Sequence, residues 1–357
     1  MKRVSTFKIR IPHQLQIALM AIAFGMLIAA VLIVITGNNP FSAYWFLFRG
    51  GLMSIKRIGN TLAGATTLIL TGLSVAFAFR TGLFNIGAAG QMLFGGFVAT
   101  ALGLTLNLPK AILLPVMMLG AMLGGAFWGF IPGLLKAKFN VHEVVATIMM
   151  NFIALWIAYY GIQDTILKDP NQETQSARLP VEASLQVDWL RDITGNSFLN
   201  LGLIIAIIFV VIIAIIINKT VLGYQLKAAG YNRFAAEYAG MKVNRNIILS
   251  MAIAGALAGL AGFTFYAGFS NHVEIGKLPI QGFDGIAVAL LGGSTPVGAL
   301  FAALFFGILQ TGKGFMQSMT GVPPEVGDLI IGFILYGAAC QILFERILKY
   351  FKRGRNA

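Results

Sequence analysis

The sequence predicts an all-α polytopic membrane protein of about ten helical segments, and three observations carry that prediction. Apolar runs of about twenty residues recur along the whole chain, most of them long enough to cross ~30 Å of hydrocarbon as a helix. Hydrophobic residues make up 57% and charged residues only 11% of the 357 positions, at a mean hydropathy of +0.81, outside the range of soluble domains. The 26 basic residues sit in the gaps between apolar runs, as orientation signals do, and do not form the continuous basic face of a nucleic-acid binder. The single cysteine, Cys340, permits no disulfide within the chain.

The elements follow in order. Lys2, Arg3, Lys8 and Arg10 precede an apolar run from Ala18 to Ile35. The run is long enough to span and no small-x-small cleavage site follows, so it reads as a retained first span and not as a secretory signal. Phe41, Tyr44, Trp45, Phe46 and Phe48 then mark an interfacial helix. The apolar runs lie near residues 14–36, 60–79, 84–104, 111–134, 143–162, 199–217, 247–267, 282–310 and 325–345. Nine simple crossings would put the chain ends on opposite sides. Both ends are basic, however, with Lys349, Lys352, Arg353 and Arg355 at the second, and basic flanks favour the cytoplasm. One run must turn back. The 282–310 run is too long for one span and is interrupted by Gly292–Pro296, so it reads as a broken hairpin entering and leaving from outside.

The loop charges agree with this topology. The 218–246 loop falls inside with Lys219, Lys227, Arg233, Lys242 and Arg245, and so does the short loop with Lys136 and Lys138. The 163–198 loop falls outside and carries Asp164, Asp169, Glu173, Glu182, Asp188 and Asp192. Arg49, Lys56 and Arg57 are the main exception, lying on the outer side.

The stretch from Phe79 to Gly96, F-R-T-G-L-F-N-I-G-A-A-G-Q-M-L-F-G-G, is unlike the spans on either side. Its glycines weaken a helix, and Asn85 and Gln91 place two amides at membrane depth, where an unpaired polar group costs several kcal/mol. Irregular backbone survives there only inside protein or beside a wet cavity, so this reads as a broken helix lining an interior path. Small-residue packing alone explains the glycines but leaves the amides without partners. A weak similarity links this stretch to G-F-D-G-I-A-V-A-L-L-G-G in the other half, the pairing of broken segments that points to a transporter's central site.

Polar stripes extend the pattern. Asn60, Gly64, Thr67, Thr71 and Ser74 share one face of the second span, and Glu143, Thr147 and Asn151 share one of the fifth. Such faces turn inward, either to line a path or to bond neighbouring helices, the commoner role of Ser and Thr. Asn85, Gln91, Asn151, Thr67, Thr71 and Ser74 are the candidate path residues, because amides and hydroxyls suit an uncharged solute rich in hydrogen-bonding groups. Gly120, Gly124, Gly125, Gly129, Gly133, Gly255 and Gly259 are spaced for close helix packing.

Other motifs fail their tests. Gly307–Gly314 approaches the phosphate-cradling G-x-x-x-x-G-K-[ST], but Gly314 replaces the hydroxyl and no strand precedes it. His13, His142 and His272 are scattered, so no metal site and no cofactor are expected, and no nucleophile-base set can be assembled. Asp284 is the acid best placed within the membrane, where it could be functional, lie at the hairpin's mouth or cap a helix. In the 218–246 loop, Asn232 caps a short helix from Arg233 to Ala239 that Gly240 ends. A stiff helix between spans suits docking on a partner that moves it; a solvated connector is the alternative.

The combination F-R-T-G-L-F-N-I-G-A-A-G-Q, H-E-V-V-A-T-I-M-M-N, A-A-E-Y-A-G-M-K-V-N and G-F-D-G-I-A-V-A-L-L-G-G resembles the permease subunits of bacterial ABC importers for nucleosides, within the wider family that also moves ribose and branched-chain amino acids. The resemblance covers nearly the whole chain. Ala89 departs from it, since the family usually has an acid before that glycine. It implies a single permease domain over residues 1–357 in the bacterial inner membrane, surrounded by lipid, with both termini cytoplasmic. The implied partners are a second, related permease, a cytoplasmic ATPase that moves the 218–246 loop, and an external lipoprotein that delivers the nucleoside. Arg233, Glu237 and Gly240 fall where such permeases contact the ATPase. An ion-coupled secondary transporter is the competing reading and would need titratable groups at mid-membrane, of which this chain offers few beyond Asp284. Sugars or branched-chain amino acids are the alternative substrates within the ABC reading.

Overall fold

The computed structural model describes residues 13–340 and 343–346. The basic residues at the two chain ends from which the orientation is expected, Lys2 to Arg10 and Lys349 to Arg355, lie outside the described residues. Among the described residues, fourteen α-helices run in the order α1 His13–Ile35, α2 Pro40–Leu52, α3 Ile55–Arg80, α4 Ala88–Thr105, α5 Lys110–Phe139, α6 Glu143–Gln163, α7 Asp188–Ile193, α8 Gly202–Lys219, α9 Val221–Tyr231, α10 Arg233–Tyr238, α11 Val243–Phe265, α12 Ile280–Leu291, α13 Pro296–Thr320 and α14 Pro324–Ala339. Eight of them (α1, α3, α4, α5, α6, α8, α11 and α13) are long and apolar enough to cross a membrane. With the shorter α12 and α14 they make the ten segments of an all-α, multi-pass membrane protein.

Contacts at the helix ends define two faces. Asn60 Oδ1, near the start of α3, accepts from the Phe198 amide, so α3 starts on the face of the 163–198 loop. At its other end Arg80 reaches Ser294, and Gly82 lies against the Gly230 backbone of α9. The ten segments alternate between these faces. Gly293 touches the Gln14 side chain and Gly337 packs on Ala21, which puts the described ends of α1 and α14 on the face of the 218–246 arm.

Sequence explains the element boundaries. Asn39 caps α2 through the Phe41 amide, with Pro40 at the first helical position, where its missing N–H costs nothing. The aromatic helix is thus present, and Phe41 and Trp45 are exposed on it. The 282–310 run breaks at Gly292–Thr295, where proline and paired glycines predicted the interruption, and Thr295 caps the next helix through the Gly298 amide. Its limbs are unequal. Helix α12 has only 12 residues, whereas α13 has 25 and continues past residue 310 to Thr320. The polar residues after Gln310 end the hydropathy run but not the helix, because α13 stays packed on α2, with Gly312 against Leu47. The phosphate-loop look-alike Gly307–Gly314 is continuous α-helix inside α13.

Helix α3 is the centre of the bundle: 83% of its apolar window is buried, against 28% for α1. Packing relies on small residues, as it must where lipid is as apolar as leucine. Gly125 and Gly129 of α5 meet the α11 backbone at Gly255, while Gly120 and Gly124 turn to Leu102 and Val98 of α4. The two interrupted helices run in opposite directions and meet near their starts, Gly282 of α12 against Ala89 of α4. Each also packs on the long helix that precedes the other: Gly95 of α4 on Gly259 of α11, and Gly285 of α12 on Thr71 of α3.

Candidate functional site

The chain between α3 and α4 leaves helical geometry at Thr81 and regains it at Ala88, with Gly82 and Phe84 exposed and Thr81, Leu83, Asn85 and Gly87 buried. Gly82 takes φ +72, a value other residues rarely adopt, and so lets the chain turn back. The freed backbone groups find side-chain partners. Asn151 of α6 accepts from the Gly90 amide at 2.8 Å and donates to the Ile86 carbonyl at 3.1 Å. Asn85 and Gln91 bond each other reciprocally, at 2.9 and 3.3 Å, and Asn85 also accepts from the Gly87 amide at 3.1 Å. All three amides are at most 2% exposed. Satisfying them internally removes a cost of several kcal/mol per group at this depth.

The hydroxyl stripe lies next to this knot without joining it. Thr67, Thr71 and Ser74 are buried; Thr71 Oγ1 bonds back to the Thr67 and Leu68 carbonyls, and Ser74 Oγ crosses to the Ala254 carbonyl of α11 at 2.6 Å. Helix α12 is the common neighbour, touching Thr71 through Gly285 and Ala89 through Gly282. On α6, Glu143 pairs with Lys136 at 2.9 Å, and Thr147 bonds back to the Glu143 carbonyl.

A second polar group occupies α12, α13 and α14. Gln310 donates to Asp284 at 2.7 Å, and Lys313 pairs with Asp328 at 2.6 Å. Where α2 ends and α3 starts, on the face of the 163–198 loop, Arg57 donates to the Gly50 carbonyl at 3.0 Å and lies 4.4 Å from the centre of the Phe315 ring. Arg57, one of the three basic residues expected to depart from the charge rule, is thus engaged by a carbonyl and an aromatic face.

The arm consists of α9 and α10. Asn232 Oδ1 accepts from the Ala235 amide and caps α10, which ends at Tyr238, one residue before the expected Ala239; Gly240 follows at φ +78. Arg233 donates to Asn244 at 2.9 Å, and Glu237 and Gly240 are exposed. The sequence reading missed the aromatics beside them: Tyr231, Phe234 and Tyr238 are 88%, 80% and 97% exposed. Large apolar groups four residues apart on a short polar helix are the signal that could have found Phe234 and Tyr238. It also missed Arg80, which donates to the Ser294 carbonyl at 2.7 Å and joins the end of α3 to the break after α12. Among the described residues no group of three or more His, Cys, Asp or Glu could hold a metal.

A multi-pass helical bundle with antiparallel interrupted helices at its centre and an exposed arm on one face is the architecture of a membrane permease. The chain belongs to the family of branched-chain amino acid transport system / permease components, which matches residues 57–339. It is 43% identical over 338 residues to the nucleoside ABC transporter permease protein NupB of Lactococcus lactis, covering 93% of this chain and 92% of that one. It is also 43% identical over 349 residues to the guanosine ABC transporter permease protein NupP of Bacillus subtilis, covering 97% and 99%. A second B. subtilis protein, the guanosine ABC transporter permease protein NupQ, is 28% identical over 259 residues, covering 70% of this chain and 79% of that one.

Proposed function

We propose that this chain is one of two permeases of an ATP-driven importer that brings nucleosides into a bacterial cell. The observation that carries the reading is 43% identity, over almost the full length of both chains, to permeases named for nucleoside and guanosine transport. The match to NupP and NupQ, both from one Bacillus strain, supports a second, related permease as partner. A cytoplasmic ATPase supplies the energy, and an external lipoprotein delivers the solute. The face of the 218–246 arm is the cytoplasmic one, supported by Lys219, Lys227, Arg233, Lys242 and Arg245 on it and by the acidic 163–198 loop opposite. Both termini then lie inside.

In this reading the ATPase grips α10 by Phe234 and Tyr238, flanked by Arg233, Glu237 and Gly240. Motion of the arm passes through the contact of Gly230 with Gly82 and the bond of Arg80 to Ser294 into the interrupted helices. Asn85, Gln91, Asn151, Thr67, Thr71 and Ser74 border the route, and the bonds of Asn85 with Gln91 and of Asn151 with the Ile86–Gly90 backbone keep it shut in the state described. The nucleotide shifts this equilibrium only because the two states bind it differently.

The test is uptake of labelled nucleosides by cells lacking the chain and by cells with it restored. Restored uptake should disappear on loss of the ATPase and survive collapse of the proton and sodium gradients. Uptake that follows the ion gradients instead would assign the chain to secondary transport.

A further inference from the structure

Among the described residues, α12, α13 and α14 carry a charged and amide-bearing group that the amide knot does not use. Asp284 of α12 is half-buried and lies beside Gly285, which packs on Thr71 in the middle of α3. Its hydrogen-bond partner is the Gln310 amide at 2.7 Å, on a helix that crosses the membrane. One turn farther along α13, Lys313 holds Asp328 of α14 at 2.6 Å, and those two side chains remain 32% and 55% exposed. The outer half of α13 continues with Gln317 and Ser318, both exposed. A lipid-facing surface of this composition would cost several kcal/mol for its charges alone. This side of α13 and α14 therefore meets water or protein in the assembled transporter.

We propose that Asp284 and Gln310 form a solute-binding site on the transport route, holding the vicinal hydroxyls of a ribose, with Lys313 and Asp328 lining the approach from the outer face. The inference rests on the nucleoside reading above and assigns a stretch of its path to residues outside the amide knot. The chemistry fits the solute. A carboxylate accepts hydrogen bonds from sugar hydroxyls, as in dinucleotide-binding folds, and an amide can both donate and accept beside it. Gln310 holds one carboxylate oxygen and fixes the direction of the other. A neutral sugar needs no counter-charge, and the salt bridge of Lys313 with Asp328 leaves the approach neutral overall.

The experiment replaces Gly314, exposed one turn beyond Gln310 with open space at its Cβ position, by Cys in a Cys340→Ser background, expressed with its own partner subunits, and labels intact cells with a membrane-impermeant maleimide. The thiol should react, and saturating guanosine should slow the reaction several-fold. A thiol that stays unlabelled, or one that guanosine does not protect, overturns the proposal. In parallel, Asp284→Asn should lower the maximal rate of guanosine uptake about tenfold, the loss expected for one charge-assisted hydrogen bond, at unchanged half-saturation and unchanged amounts of assembled complex. Full uptake by that variant overturns the proposal, and if the variant fails to assemble, the labelling decides. Should the unmodified transporter import no nucleoside at all, the functional reading falls, whereas labelling without protection removes the site alone.

Discussion

Arg80 at the end of α3 donates its Nε–H to the Ser294 carbonyl, 2.7 Å away across 214 residues of sequence. Ser294 has φ +52 in the break between α12 and α13, so the guanidinium holds the chain at its most irregular point. At the same corner a Cβ on Gly82 would lie 3.2 Å from the Gly230 carbonyl oxygen of α9, an approach that a larger side chain would crowd. The central helix, the interrupted helix and the arm are thus fastened together at one place.

In the proposed importer, Arg80→Ala should loosen that fastening while leaving the exposed residues of α10 unchanged. A hydrogen bond from a charged donor contributes about 1.5–3 kcal/mol, and Arg80 is only half-buried, so the lower figure applies. The expected outcome is an assembled complex that hydrolyses ATP but takes up solute several-fold more slowly. Uptake and hydrolysis measured on the same preparation check it, and parallel losses of both would point to failed assembly instead of lost transmission.

The crossing of α5 and α11 makes a prediction with a sign. A methyl group on Gly125 would press on the backbone of α11, with Gly259 Cα only 2.8 Å away, so Gly125→Ala must push the two helices apart and should cost about 1–3 kcal/mol. Gly64 in α3 has nothing within 4 Å of the same position. Gly64→Ala should therefore stabilise by up to about 1 kcal/mol, the helix-propensity difference. Thermal unfolding in detergent should move down for the first variant and up for the second; shifts of the same sign would contradict the packing described.

Which features could be read from the sequence follows from how local their causes are. Asn232 and Gly240 bound α10 because a cap and a positive-φ stop act within a few residues, and both were legible. The break at Gly292–Thr295 was legible for the same reason. The full length of α13 was not, because Gln310, Thr311 and Lys313 lower the hydropathy while contacts with α2 keep the helix going. The burial of Asn85 and Gln91 followed from the cost of free amides in a membrane, whereas the identity of their neighbours did not. Asn151 reaches Gly90 across 61 residues and Arg80 reaches Ser294 across 214, and no periodicity encodes such pairings. The hydroxyl stripe shows the same limit: its helical spacing was visible, but the bonds of Thr71 within α3 and of Ser74 to α11 were not.

Asn151 is the side chain on which the irregular segment most depends. Its Oδ1 accepts from Gly90 and its Nδ2 donates to Ile86, so one amide serves both a backbone donor and a backbone acceptor on either side of the start of α4. The fit is close, since a Cβ on Gly90 would lie 2.7 Å from Asn151 Cα. Asn151→Leu leaves both backbone groups unpaired, at about 1–3 kcal/mol each, and should be the most destabilising change in the knot. Asn151→Asp retains an acceptor for Gly90 but sets a carboxylate oxygen against the Ile86 carbonyl, so its cost should exceed one lost bond. Asn151→Gln keeps both functions on a longer stem and should perturb through crowding. The thermal midpoints of the purified permease complex should fall for all three, furthest for leucine, and a leucine variant as stable as the unmodified protein would remove Asn151 from its structural role.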